Sequence, residues 1–183
     1  MLTLILSIIA AVGVLFLIVV ATRPSKFTIA RSTYVNAPPD RVFPHVNNLH
    51  NWQPWSPWAK LDPNAKNTYE GPNEGVDSSF RWDGNNQVGA GCMTIIESKP
   101  DRLVGIRLEF ERPFKATHHV EFTFQPQGPR TFVTWTMSGH NNFVAKAVVL
   151  FMNCDKMIGG QYEKGLAGLK AVAESETSAK VLS

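Results

Sequence analysis

Two adjacent histidines, His118 and His119, are the side chains in this sequence best suited by type to proton transfer or metal binding. Neighbouring residues of a β-strand point to opposite faces of the sheet, so these two imidazoles cannot serve a single site. The apolar residues that alternate around them place His118 on the inner face and His119 toward solvent. His118 is therefore either a lone general acid or base or, as is more common for an inward histidine, a hydrogen-bonded core residue.

Arg31 and Glu97 share the inner parity and lie near the ends of their strands. Arg31 could hold a carboxylate or phosphate head group through two parallel hydrogen bonds, and the alternative is an ion pair at the surface. Catalysis would require His118, or Arg31 together with Glu97, to converge in one pocket.

Other chemical motifs are missing from the sequence, which has no HExxH, GxSxG or P-loop pattern and only two cysteines. Its basic residues are scattered and its net charge is +3, unlike a nucleic-acid-binding surface. We therefore expect no metal, no cofactor and no nucleic-acid partner. The sequence identifies no catalytic residue and no oligomeric state.

Three of the five tryptophans fall within the segment HNWQPWSPW. Pro54 and Pro57 exclude a regular helix or a central strand, whereas a 3₁₀ turn or a polyproline-like run repeats about every three residues. Trp52, Trp55 and Trp58 should then point in the same direction. Three interpretations remain open: the indoles plug the open end of a sheet, form the lid or wall of a ligand pocket, or lie at lipid headgroups.

Alternating apolar and polar residues, separated by short turn segments, predict an antiparallel sheet. The first strand should begin at Lys26, and the others are expected at Asn67–Glu70, Val76–Asp83, Gly89–Glu97, Leu103–Glu111, Lys115–Gln125 and Thr131–Gly139. A short helix is expected after Asn36, with Pro44 kinking or ending it. Apolar residues at helical spacing from Ile158 to Ala173 predict a long amphipathic helix that covers one face of the sheet.

The inner face of this sheet is apolar and rich in aromatic residues, which suits either a bulky core or a pocket for a hydrophobic ligand. The side chains expected to contact such a ligand are Trp52, Trp55, Phe80, Trp82, Met93, Ile106, Leu108, Phe110, His118, Val120, Phe122, Trp135, Met137 and Tyr162.

The segment Leu2–Thr22 carries no charge and is rich in Leu, Ile and Val. About twenty such residues in a helix span the ~30 Å hydrocarbon layer of a bilayer. Arg23, Lys26 and Arg31 follow the segment, so the positive-inside rule predicts a retained single-pass anchor with a cytoplasmic domain. A secretion signal and the opposite orientation are the alternatives. The four residues before Phe27 reach at most about 14 Å, which would hold the domain against the bilayer.

Several short motifs occur in a characteristic order along residues 26–174. They are Arg31-Ser32, the run Asn36–Phe43, the pattern Trp52-x-x-Trp55-Ser56-Pro57-Trp58, the run Gly89–Ile95, the run Asp155–Gly159 and the run Gly165–Lys170. Together they resemble the START-like, helix-grip (SRPBCC) superfamily, and within it the polyketide cyclase/dehydrase-like group. The resemblance implies an α+β fold in which a curved antiparallel sheet wraps around a long C-terminal helix, with an apolar cavity between them. Its members bind lipids, sterols, hormones or polyketide-like rings, and a minority catalyse reactions on them.

The expected organisation is an anchor at residues 1–22, a short basic linker at 23–26, the helix-grip domain at 27–174 and a flexible tail at 175–183. The function favoured by the sequence is a membrane-anchored domain that binds a hydrophobic small molecule or lipid. One alternative is a cyclase, dehydratase or hydrolase that acts on a ring-bearing substrate in the same cavity. Another is a partner-docking module that uses the tryptophan segment at the membrane.

Overall fold

The computed structural model describes residues 1–181, and the side chains of residues 1–176. In chain order the elements are α1 (Leu2–Thr22), β1 (Lys26–Val35), α2 (Pro39–Val42), α3 (Pro44–Asn47), a 3₁₀ turn (Leu49–Trp52), β2 (Lys66–Glu70), β3 (Ser79–Asp83), β4 (Ala90–Lys99), β5 (Leu103–Arg112), β6 (Ala116–Gln127), β7 (Arg130–His140), α4 (Phe143–Phe151) and α5 (Cys154–Val181).

The seven strands form one antiparallel sheet in the order β1-β7-β6-β5-β4-β3-β2. Each strand pairs with its neighbour in sequence except β1, which pairs along its whole length with β7. The inner residues of the central strands, such as Ile106, Val120 and Met137, are buried, while the alternate residues face outward. The predicted α+β helix-grip fold is confirmed.

A β-bulge in β4 changes the side of the sheet on which its last residues lie. Ile95 pairs with Ile106, but Glu97 pairs with Gly105, so one extra residue is inserted between the two pairs. Such an insertion reverses the alternation of side chains beyond it. Ser98 then points inward, where its hydroxyl donates to Asn47 Oδ1 at 2.7 Å. The expectation that Glu97 shares the inner face was wrong, and its carboxylate pairs with Lys99 instead.

The long helix α5 lies on the concave face and buries Tyr162, Leu166, Leu169 and Ala173, as the apolar spacing predicted. It begins earlier than expected, at Cys154, and its backbone continues to Val181. Residues 175–181, which we expected in a flexible tail, are therefore helical. Residues 182–183 lie outside the described part of the chain.

Pro44 interrupts the helix after β1, as expected. The helical turn α2 ends at Val42 and a second turn, α3, begins at Pro44. Proline cannot donate to the preceding turn but suits the first position of a new one. The two turns lead the chain onto the concave face of the sheet, where the tryptophan segment follows.

The helix α1 is exposed along most of its length and contacts the rest of the protein through α4. Along Leu2–Thr22, all of it described, Val20 alone is buried. Among residues 1–181, α1 is the one helix long and apolar enough to cross a membrane. Three residues, Arg23 to Ser25, connect it to β1.

Candidate functional site

Three tryptophans of the HNWQPWSPW segment converge on a fourth, Trp135 of β7. The ring centroids of Trp52, Trp55 and Trp58 lie 6.1, 5.7 and 5.7 Å from that of Trp135. The expectation that the three indoles point the same way is confirmed. With Phe122 and Tyr162 they form what we call the tryptophan cluster.

Backbone hydrogen bonds fix the two inner indoles of this cluster. The Trp52 Nε1–H donates to the carbonyl of Val46 at 2.9 Å, and the Trp55 Nε1–H donates to that of His45 at 3.1 Å. Their side chains are 4% and 2% exposed. Buried and hydrogen-bonded indoles of this kind form a core plug, which is the first of the three interpretations of the segment. They do not present the exposed surface that partner docking would need.

The helix α5 closes the cluster from above. Tyr162 stacks on Trp135 with ring centroids 3.9 Å apart and an interplanar angle of 10°. Gly165 lies so close that an added Cβ would be 2.7 Å from the Trp135 ring, and one at Gly168 would be 2.9 Å from the Trp55 carbonyl oxygen. The absence of side chains at these two positions lets the helix press onto the indoles. Protein side chains therefore fill this end of the concave face.

The predicted ligand-contact residues divide into two groups by burial. Those in the filled part are Trp52, Trp55, Ile106, Leu108, Val120, Phe122, Trp135, Met137 and Tyr162. The others are partly exposed and are Phe80, Trp82, Met93, Phe110 and His118. A ligand could reach the first group only if the tryptophan cluster opened, whereas the second group is accessible as the domain stands.

The partly exposed group belongs to a continuous chain of rings, which we call the aromatic arc. Its members, in order from β2 to β1, are Tyr69, Phe80, Trp82, Phe110, His118 and Phe27. Successive ring centroids in this order are 5.0, 6.1, 5.9, 6.0 and 5.2 Å apart. The arc therefore crosses the whole width of the sheet. Tyr69 and Phe27 are members that sequence parity had not singled out as ligand contacts.

Strand register explains why the arc forms. One row of paired residues crosses four strands and consists of Phe80, Met93, Leu108 and His118. At the edge of the sheet, Phe27 of β1 pairs with Gly139 of β7. A neighbouring row aligns Trp82, Gly91 and Phe110. Because Gly91 has no side chain, the Trp82 ring lies directly over it, within 2.6 Å of where a Cβ would be. The floor of the arc is thus formed by Met93 and the backbone of β4.

His118 is the one titratable member of the arc that could transfer a proton near neutral pH. Burial lowers the pKa of its imidazole, an effect partly offset by a backbone contact with Thr117. The ring is held edge-on between Phe27 and Phe110. Its Nδ1 has no hydrogen-bond partner within residues 1–181, and neither has the Nε1 of Trp135. His118 therefore lacks, at this nitrogen, the hydrogen bond that its interpretation as a core residue predicted.

Arg31 is committed to α5. Its Nε donates to Glu163 Oε1 at 2.9 Å and its terminal nitrogen donates to Asp155 Oδ2 at 3.0 Å. The hydrogen bond from Arg31 lowers the pKa of the Asp155 carboxyl. Of the two alternatives for Arg31, the ion pair is the one present. A head group would have to displace two carboxylates from the guanidinium.

The polar residues proposed for catalysis do not converge. His118 lies in the arc, Arg31 is paired with α5, and Glu97 is on the convex face beside Lys99. Neither of two surface grooves is centred on the arc, although the second one includes Phe110 in its lining. One, of about 290 Å³, is next to His45 and Glu176, and the other, of about 330 Å³, is on the outer face near Arg81.

Comparison with known proteins identifies the family. Residues 26–174 match the family described as polyketide cyclase / dehydrase and lipid transport. This chain belongs to that family. No curated protein sequence matched the chain.

Solved structures share the fold at low sequence identity. Protein TTHA0849 from Thermus thermophilus is similar with a TM-score of 0.61 and 17% identity, over 82% of this chain and 99% of that one. The Zhui aromatase/cyclase from Streptomyces sp. R1128 gives a TM-score of 0.59 and 14% identity, over 83% and 96% of the two chains. Protein CV1439 from Chromobacterium violaceum gives 0.59 and 13%, over 80% and 96%.

Proposed function

We propose that this protein is a membrane-anchored domain that binds a hydrophobic small molecule or lipid, and that the ligand lies against the aromatic arc. The observation that carries the proposal is the partial exposure of the arc, beside a tryptophan cluster that is sealed. Soluble proteins rarely leave contiguous apolar surface uncovered unless it binds something. Membership of a family that includes lipid transport proteins supports the same conclusion.

The composition of the arc defines the class of ligand. Its rings and Met93 offer apolar and stacking surface, which favours a flat or ring-bearing molecule. The unpaired Nδ1 of His118 is itself buried beside Gly139, so the part of this side chain that a ligand can contact is the exposed portion of its ring. Because burial lowers the pKa of this imidazole, the neutral form predominates at pH 7 and adds no charge to the site. The ligand we propose is therefore largely apolar and uncharged where it contacts His118.

The proposed anchor is α1, with the domain on the cytoplasmic side. Its side chains are exposed along nearly the whole helix, which in water would leave a large apolar surface unsatisfied. The linker is three residues long, so the domain would stay next to the bilayer. Phe27, at one end of the arc, follows α1 by five positions. A ligand that partitions into lipid would then be concentrated close to the site.

Native mass spectrometry of the full-length chain, released from nanodiscs that contain a total lipid extract, tests this proposal. We expect a retained adduct on the wild-type protein. The variant Met93→Trp should lose the adduct because the larger side chain would cover the apolar surface that the ligand contacts. The matched control, Arg107→Trp, places the same indole on the exposed outer face and should keep it.

Two results would contradict the proposal. One is a wild-type chain that stays ligand-free while folded. The other is an equal adduct on Met93→Trp and wild type, which would locate the ligand elsewhere. Circular dichroism of the same nanodisc preparations should confirm that both variants remain folded.

A second candidate function is ring-forming chemistry of the cyclase or dehydratase type, favoured by the structural likeness to an aromatase/cyclase. In that case His118 would be the proton-transfer group, since it is the arc residue with a titratable nitrogen in the physiological range. Incubation with a linear poly-β-keto thioester, followed by mass spectrometry, separates the two functions. Turnover that His118→Gln abolishes, with binding retained, would establish catalysis. Binding without turnover supports a binding domain.

A further inference from the structure

The helix α4 has the composition of a membrane-contacting segment rather than of a core helix. Eight of its nine residues are apolar, and Lys146 is the exception. None of the residues Phe143–Phe151, all of them described, is buried. Val144 is 63% exposed and Phe151 is 80% exposed. A helix that exposes this much apolar surface requires a partner.

Local structure shows that α4 is a well-defined helix. The Asn142 side chain caps it by accepting a hydrogen bond from the Ala145 N–H at 2.8 Å. Asn153 forms the equivalent bond with the Lys156 N–H at 2.9 Å at the start of α5. Capping residues therefore set the start of both helices. In the chain, α4 lies between β7 and α5, and none of its apolar residues is buried.

The position of α4 indicates what covers it. The helix packs against α1, and the rings of Phe16 and Phe151 are stacked with centroids 6.2 Å apart. Phe16 precedes the last residue of α1, Thr22, by six positions, which is about 9 Å of helix rise. If α1 crosses the bilayer, Phe151 lies at that depth below the end of the span. Interfacial helices bury their apolar faces to a similar depth of about 5–10 Å.

The charge distribution agrees with the same environment. No Asp or Glu occurs between His140 and Asp155, so no carboxylate would be drawn into the acyl region. The single charge, Lys146, has a long aliphatic stem that can carry its ammonium to the headgroup level. Met152 and Met157, which flank the junction of α4 and α5, are exposed and extend the apolar surface.

We propose that α4 is an in-plane membrane helix that inserts its exposed apolar side chains into the acyl chains beside α1. This inference rests on the proposed anchoring by α1 and adds a second contact with the bilayer. Its consequence is geometric. The helix follows directly on β7, whose Gly139 lies beside Phe27 and His118 of the arc. Insertion of α4 would therefore hold this edge of the ligand site at the lipid surface instead of letting the domain swing on its linker.

Site-specific fluorescence in lipid vesicles tests the proposal on the full-length chain. In a background with Cys92→Ser and Cys154→Ser, single cysteines at Val148, Thr68 and Val12 are labelled with an NBD fluorophore. Val148 is on the exposed face of α4, Thr68 is exposed on β2 and Val12 is in the middle of α1. We expect the label at Val148 to show blue-shifted emission and several-fold stronger quenching by 5-doxyl phospholipid than the label at Thr68.

The three labels distinguish the failure of each proposal. A label at Val12 that stays in water would overturn the anchor. A label at Val12 that is quenched by 12-doxyl phospholipid, with the Val148 label remaining in water, would overturn only the insertion of α4. A Val148 label that is shielded from water yet unquenched by lipid would also overturn it, since a second copy or a partner protein would then cover the helix.

Discussion

The two ends of the concave sheet face are built from the same kinds of residue and behave differently. At one end, the tryptophan cluster is sealed by the HNWQPWSPW segment and by Tyr162, and its inner indoles are at most 4% exposed. At the other end, the aromatic arc continues across the sheet with every member partly exposed. Aromatic content alone therefore does not indicate a binding site. What matters is whether another element lies over the rings.

The glycines of α5 account for much of this difference. Gly165 and Gly168 bring the helix axis close to Trp135 and Trp55, so that the helix covers the closed end tightly. Helices approach a neighbouring element most closely where side chains are smallest. At its other end α5 is held against β1 by the Arg31 ion pairs. The helix thus covers the β1 side of the sheet and leaves β3, β4 and β5 uncovered near the arc.

The largest difference between the two ends should appear in the stability of Trp55→Ala and Trp82→Ala. Removing a buried Trp side chain costs about 3–5 kcal/mol, and Trp55 is fully enclosed and hydrogen-bonded. Trp82 also donates a hydrogen bond, to Val88, but its ring is partly exposed. We therefore expect Trp82→Ala to lose less than half as much free energy of unfolding. Urea denaturation in detergent micelles, followed by near-UV circular dichroism, measures both.

Ligand retention should show the opposite order. Trp82→Ala should weaken the adduct seen by native mass spectrometry, while Trp55→Ala should change it only as far as the fold is lost. Equal losses of stability in the two variants would mean that the arc is as tightly packed as the cluster. The division of the concave face into a core and a binding surface would then be untenable.

A smaller effect should distinguish two glycines of α5. At Gly165 a methyl group would meet the rigid, stacked ring of Trp135, so Gly165→Ala should destabilise the domain by about 1–3 kcal/mol through overpacking. At Gly160 no described atom lies within 4 Å of the added methyl. Gly160→Ala should therefore stabilise the helix, by about 0.5–1 kcal/mol. The same unfolding experiment measures both, and a stabilising Gly165→Ala would show that the closed end is loosely packed.

Much of the fold followed from the sequence because periodicity reports burial directly. Alternation identified most of the strands, and the spacing from Ile158 to Ala173 identified the face of α5. Glu97 was misplaced because a β-bulge leaves no signature in a run of otherwise alternating residues. The helix α4 was missed for a related reason. Its apolar residues surround the helix instead of forming one stripe, so the pattern that marks a core-packed helix does not occur there.

The candidate site was only partly predictable. Parity placed the inner residues on one face, but it could not separate those that α5 covers from those that it leaves open. The covered part of the face is set by Gly165 and Gly168, because the absence of side chains there lets α5 approach the indoles. It is also set by the path of the HNWQPWSPW segment. His118 shows the same limit. Its inward direction followed from the strand, whereas its unpaired Nδ1 depends on neighbours from β1 and β5 that no local pattern reveals.

The smallest effect concerns pH and is confined to the open end. Burial lowers the pKa of His118, so in the acidic range the folded protein binds fewer protons at this site than the unfolded chain does. The free energy of unfolding therefore keeps the full contribution of His118 above the pKa that this residue has in the unfolded chain, near 6.5. That contribution is lost as the pH falls through the lower pKa of the folded protein.

His118→Gln should reduce the loss of stability between pH 7 and pH 5, measured by urea denaturation at each pH. His119→Gln is the matched control, because its side chain is exposed on the outer face, and it should follow the wild-type profile. A bound neutral ligand at the arc should steepen the wild-type dependence, since protonation of His118 would place a charge against apolar surface. Identical profiles for wild type and His118→Gln, with and without ligand, would show that this imidazole is not enclosed by the arc.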